Sequence, residues 1–168
     1  MKVVNVRING MENPVGFDFE TVCVSWKVRE TSARRQQNVK IEIALTEDFS
    51  ELLWTKEEKN LNSAAEKLEF EQSAYTRYYV RVTVTSDEGE TAVSKPAYFE
   101  TGKMDDPWMG KWITTKKEDT FHPLFIKNFE VKKKPASARL YICGLGLFEA
   151  KLNGKKIGEE VLTPYYSN

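Results

Sequence analysis

Hydrophobic and polar residues alternate with a period of two along most of the first hundred positions. Val22, Val24, Trp26 and Val28 fall on one face of an extended run. So do Val39, Ile41, Ile43 and Leu45, and again Tyr78, Val80, Val82 and Val84, with Tyr79, Arg81 and Thr83 directed the opposite way. Successive side chains of an extended chain point to opposite sides, so each run predicts a strand with one buried and one wet face, as in antiparallel sheets. Asp87-Glu88-Gly89-Glu90 predicts a turn whose glycine supplies a positive φ, and Ala92, Ser94 and Ala97 to Glu100 complete the set. Several short strands joined by turns predict an all-β fold, a β-sandwich.

Two stretches interrupt the alternation. Thr46 to Leu52 has an N-cap candidate at Thr46 but is short, which predicts a single turn. Ser63 to Leu68 is rich in helix formers, and strand entry is expected after it, at Leu68-Glu69-Phe70. Gly102-Lys103-Met104-Asp105-Asp106-Pro107 is polar, contains both glycine and proline, and predicts a domain boundary. Residues 1–102 then form a first domain, 103–107 a linker and 108–168 a second domain.

In the second domain, Phe125 to Val131, Ala138 to Cys143 and Phe148 to Leu152 read as strands, and Lys132-Lys133-Lys134-Pro135 as a solvated loop. Asn153-Gly154 is a strong signal for a two-residue type I′ hairpin, because both central residues need positive φ. Lys155 to Gly158 is the returning strand. Four or five short strands with no covering helix make a marginal unit. The segment therefore reads as the opening part of a β-domain, and its remaining strands are expected in a larger parent chain.

Composition narrows the function. Hydrophobic residues make up 40% and charged residues 30% of the 168 positions, enough to build a core. Lys plus Arg and Asp plus Glu balance at 25 each, which removes the main electrostatic reason to expect nucleic acid and gives no polybasic membrane signal. No apolar run approaches the roughly 20 residues of a membrane span. The N-terminus alternates, with no apolar run behind its lysine, and no secretion signal is expected in this stretch. Two cysteines far apart, Cys23 and Cys143, suit a reducing compartment, and a cytoplasmic location is expected.

Catalytic chemistry is sparse. His122 is the only histidine; it stands before Pro123 in a loop, with no nucleophile-elbow sequence for a triad to use. One histidine and two distant cysteines do not make a zinc site, and no cofactor is expected. Gly144-Leu145-Gly146 lies between strands and marks a bulge or a close backbone approach rather than a phosphate loop. Asp105-Asp106 and Glu159-Glu160 are acid pairs of the kind used in glycosidase chemistry, but among 25 acidic residues such pairs arise by chance and read as solvated loops. Trp108, Trp112, Tyr165 and Tyr166 are candidates for a sugar-stacking platform, against a reading as core and interdomain packing.

A series of short stretches carries a resemblance. "NPVGFD" (Asn13 to Asp18) followed by "VSWKV" (Val24 to Val28) resembles the start of the N-terminal region of bacterial α-L-rhamnosidases. The order continues with "KIEIA" (Lys40 to Ala44), Trp54, "TRYYVRVTVTSDEGE" (Thr76 to Glu90), "AYFETG" (Ala97 to Gly102) and "WMGKWI" (Trp108 to Ile113). "PLFIKNFEV" (Pro123 to Val131), "ARLYICGLGLFEAKLNGKKIG" (Ala138 to Gly158) and "LTPYYS" (Leu162 to Ser167) follow. The resemblance implies two modules: a fibronectin type III/immunoglobulin-like sandwich, then the start of a jelly-roll, galactose-binding-like domain. Trp26 would be the core tryptophan of an early strand, and Tyr78 would sit at a corner with its ring packed and its hydroxyl bonded to backbone. In the family, terminal α-L-rhamnose is hydrolysed by acidic residues on a helical barrel farther along the chain. No residue here matches a catalytic position, and "VLTPYYSN" departs from the family's Pro-Gly pattern after the leucine.

The expectation is therefore a non-catalytic N-terminal accessory fragment of an α-L-rhamnosidase-like glycoside hydrolase. Its partners would be the downstream catalytic domain of the parent chain and a second copy through the C-terminal β segment. A carbohydrate-binding module and a protein-interaction sandwich are the alternatives.

Overall fold

The computed structural model describes residues 1–116, 122–161 and 163. The chain divides into two compact units, Met1–Trp112 and Ile113–Asn168. Among the described residues every regular element is a strand, which makes the protein all-β.

The first unit is a sandwich. One sheet holds three strands in the order β1 (Lys2–Ile8), β3 (Val22–Arg29) and β6 (Glu66–Leu68). The other runs β2 (Val15–Phe17), β9 (Ala97–Thr101), β7 (Arg77–Ser86), β4 (Gln36–Ala44) and β5 (Leu52–Glu58), with β8 (Thr91–Val93) also on β7. All pairings are antiparallel except β2 with β9. The alternation explains the layers. β7 buries every second residue along its ten positions, and its inward set Tyr78, Val80, Val82 and Val84 meets Val39, Ile41 and Ile43 of β4 and Val22, Val24 and Trp26 of β3 in one core. The Asp87 to Glu90 turn forms as expected, with Gly89 at φ 84° and its amide donating to the Ser86 carbonyl at 3.1 Å.

Three local expectations meet different outcomes. Thr46 to Leu52 does make a single turn, closed by the Phe49 amide on the Thr46 carbonyl at 3.0 Å. Leu45 does not continue the inward face of β4. The register against β5 shifts between Ile43 and Ala44, the strand ends at Ala44, and Leu45 is left exposed. Strand entry after Ser63 comes two residues earlier than expected. Asn62 to Ala65 forms a turn through its backbone and the Asn62 side chain, and β6 then pairs Glu66 and Leu68 with Val24 and Val22. The Glu66 carboxylate fixes that start, accepting from Lys56 Nζ at 2.8 Å and from the Asn62 amide at 2.9 Å.

The outward face of the larger sheet is not simply wet. Glu42 and Glu100 are buried. Arg81, opposite Glu42 across β4 and β7, donates to it from Nε at 2.9 Å and stacks on Phe49, 4.1 Å from its ring centre. Arg77, opposite Glu100 across β7 and β9, donates to it at 3.0 Å and lies 4.3 Å over Tyr98. Burial alone would raise the Glu42 carboxyl, but the Arg81 and Lys40 hydrogen bonds overturn that and hold it below its ordinary value.

In the second unit the Asn153-Gly154 hairpin forms as the dipeptide requires. Lys151 pairs with Lys156 and Leu152 with Lys155, and the two turn residues take φ 50° and 79°. β10 (Lys151–Leu152) and β11 (Lys155–Lys156) are its arms. Phe148 bridges Thr163. Phe125 to Val131 and Ala138 to Cys143, expected as strands, carry no ladder among the described residues. The physical reason is that a ladder needs a registered neighbour strand as well as alternation in the strand itself. Gly144 is indeed a close approach, since a Cβ there would lie 2.7 Å from the Gly146 carbonyl oxygen and 2.7 Å from the Phe148 ring.

Candidate functional site

The residues suited to chemistry fall in both units. Trp108 and Trp112, both in the first unit, are 52% and 69% exposed. Tyr165 and Tyr166 lie outside the described residues. His122 is exposed. Asp105 and Asp106 belong to a turn in which the Asp106 amide donates to the Lys103 carbonyl at 3.0 Å, and Glu159 and Glu160 are exposed. Cys23 and Cys143 are free thiols. No group of three or more His, Cys, Asp or Glu side chains is placed to hold a metal ion among the described residues.

Four carboxyls are displaced downward by their hydrogen-bonding partners. Ser50, through its hydroxyl and its amide, holds Asp48 down at about 2, and Lys2 lowers Glu30. Lys151 lowers Glu149, as Arg81 and Lys40 lower Glu42. A general acid for glycoside hydrolysis needs the opposite, a carboxyl raised so that it still carries its proton near neutrality.

What the fold does build with care is the place where the chain leaves the sandwich. The segment Asn13 to Asp18 runs beside β9 and takes four amides, one at every second residue. Asn13 Oδ1 accepts from Tyr98 at 3.0 Å. The Pro14 carbonyl accepts from Glu100 at 2.9 Å and the Phe17 carbonyl from Gly102 at 3.0 Å. Asp18 Oδ1 accepts from Met104 at 3.1 Å. Gly16, at φ 84°, takes up the register shift of β2 against β9, a backbone shape costly for any residue with a Cβ. Gly102 is needed for space instead: a Cβ there would stand 2.6 Å from Asp18 Oδ1 and 2.7 Å from the Gly16 carbonyl oxygen.

The other side of the exit is equally tied. Thr101 Oγ1 donates to the Ser73 carbonyl at 2.6 Å and accepts the Thr76 amide at 2.9 Å. The Tyr75 amide reaches the Gly102 carbonyl at 2.9 Å. Beneath this lies an aromatic cluster. Tyr78 stacks on Phe99 at 5.1 Å and meets Phe70 edge-on at 5.2 Å, and Phe19 joins Phe17 to Phe99. The Tyr78 hydroxyl accepts the Ser73 amide at 2.7 Å, the corner that the resemblance implied for this residue. Past Gly102, Lys103 Nζ donates to the carbonyls of Met104 at 2.8 Å and Asp106 at 2.6 Å.

None of these exit contacts follows from alternation. The signals available beforehand were the stretches "NPVGFD" and "AYFETG" themselves, whose ends meet at Asp18 and Gly102.

The family model described as the Rha78A-like N-terminal immunoglobulin domain matches residues 3–105, and that of the alpha-L-rhamnosidase N-terminal domain matches residues 133–168. Two alpha-L-rhamnosidases of Formosa agariphila are similar, one 29% identical across 97% of this chain and 21% of its own length, the other 25% identical across 94% and 19%. The chain thus spans about a fifth of these relatives. Among solved structures, the alpha-L-rhamnosidase of Streptomyces avermitilis, complexed with L-rhamnose, superposes with a TM-score of 0.62 at 24% identity over 67% of this chain and 12% of its own. That from Dictyoglumus thermophilum gives 0.58 at 25% over 68% and 14%.

Proposed function

This chain belongs to the Rha78A-like family through its N-terminal immunoglobulin domain, and on that premise we propose that it serves as the non-catalytic N-terminal accessory region of an α-L-rhamnosidase-type glycoside hydrolase. The observation that carries this reading is the order of the two family matches along one chain, an immunoglobulin domain and then the rhamnosidase N-terminal domain. The exit from the sandwich, with its series of backbone and side-chain hydrogen bonds, suits a region that carries further domains. The catalytic acids, and the hydrolysis of terminal α-L-rhamnose, belong in this reading to a domain farther along the parent chain.

The experiment is an assay of the purified chain with an aryl α-L-rhamnoside. Release of the phenol at the rate of a buffer blank is expected. Turnover above that blank, lost when one acidic residue of this chain is mutated, would overturn the reading. A second reading, sugar stacking at Trp108 and Trp112, is favoured by one observation, their exposure, and a titration with L-rhamnose followed by tryptophan fluorescence separates it from the first.

In the same reading the partners meet the second unit. Leu124, Phe125, Ile126, Phe129, Leu140 and Leu147 are all at least half exposed there, and exposed apolar side chains are what a partner surface would cover. In this reading the parent chain covers them, and in the isolated chain a second copy does so by edge pairing or exchange. Light scattering is expected to give a mass above that of the monomer. A clean monomer at high concentration, with amides from Phe125 to Ile157 protected from exchange, would show that the segment completes itself.

A further inference from the structure

We propose that Asp18 is a latch: its carboxylate extends the grip of the sandwich past the end of β9 and turns the exit segment into a rigid stem. β9 ends at Thr101. The amides at Tyr98, Glu100 and Gly102 are held by residues Asn13 to Phe17, and a free linker would begin after them. Instead the next amide in the same series, Met104, is held by the Asp18 side chain at 3.1 Å.

The neighbourhood is shaped for this one contact. Gly102 leaves room for the carboxylate where any Cβ would stand 2.6 Å from it. Met104 takes φ 49°, which closes the turn that Lys103 ties from its other side through the Met104 and Asp106 carbonyls. A left-handed non-glycine residue is unfavourable by itself and persists where its surroundings impose it. The direction in which the chain departs at Asp106 is thereby fixed by the first unit alone. Asp18 is exposed and lies outside the hydrophobic core cluster, so its loss frees the stem while the sandwich stays folded.

The latch takes its purpose from the accessory-region reading: a mount that carries further domains needs a stiff exit, whereas a tether does not. Its test is independent of that reading. Amide exchange is measured on the full chain as wild type, Asp18→Ala and Asp18→Asn, with Val82 in the centre of β7 as the reporter of global opening. Asp18→Ala is expected to speed exchange at Met104 by about tenfold or more, the size of a lost hydrogen bond to a charged group. Val82 is expected to be unchanged, and trypsin cleavage after Lys103 to rise in parallel. Asp18→Asn keeps an acceptor oxygen and is expected to restore most of the protection. Unchanged Met104 exchange in Asp18→Ala would overturn the latch. So would equal acceleration at Met104 and Val82, which would make Asp18 a general stabiliser. Either result leaves the accessory-region reading standing, and rhamnoside turnover by the chain would sink that reading while leaving the latch intact.

Discussion

Tyr78→Ala is expected to lower the unfolding free energy of the first unit by about 3–5 kcal/mol, the range for deleting a buried aromatic, and Tyr78→Phe by about 1–2 kcal/mol. The two numbers separate two roles. The ring is 1% exposed and lies between Phe70 and Phe99, so truncation opens a cavity at the centre of the aromatic cluster. The hydroxyl accepts the Ser73 amide at 2.7 Å, and phenylalanine removes only that bond. Ser73 also receives Thr101 Oγ1 at its carbonyl, so the loss of the corner should loosen the exit as well. Denaturant midpoints for both variants decide. Equal losses would mean that the ring contributes nothing beyond its hydroxyl; wild-type midpoints would mean that the ring is not in the core.

Trp26→Ala is expected to cost about 3–5 kcal/mol as well, for a different reason. Trp26 is 3% exposed and belongs to the main core. Its indole Nε1 donates to Gln36 Oε1 at 3.3 Å, and Gln36 in turn donates through Nε2 to the Leu61 carbonyl. The Trp26 amide holds the Ser63 carbonyl at 2.9 Å. The indole therefore ties β3 and β4 to the 61–63 loop before β6. Alanine removes the packing and strips Gln36 Oε1 of its donor, and a half-buried acceptor left alone adds to the cavity. Trp26→Phe keeps most of the volume and should recover about half of the loss. A denaturant midpoint for Trp26→Ala near that of the wild type would show that the 61–63 loop, not the indole, closes this side of the sandwich.

The sandwich was legible because its information is local. In β3, β4 and β7 the inward residues announce themselves by alternation, and Asp87 to Glu90 and Asn153-Gly154 name their turns by residue type. The errors are also local in cause. Leu45 obeys the period but lies past a register shift that only the pairing with β5 creates. The helix formers of Ser63 to Leu68 yield to pairing with β3. The outward ion pairs were invisible because each needs a register between distant strands: Arg81 and Glu42 lie 39 positions apart. The exit was hidden for the same reason, since Asp18 and Met104 are 86 positions apart. In the second unit, alternation in Phe125 to Val131 and Ala138 to Cys143 predicts strands, although alternation expresses a capacity to pair rather than a register.

In the proposed reading these 168 residues are the accessory part of a longer glycoside hydrolase. Its most direct test is the intact mass of the natural protein captured from its source with an antibody raised against residues 1–102. A single chain several times the mass of 168 residues, with this sequence in its N-terminal region, is expected. Capture of a species of 168 residues alone would contradict it.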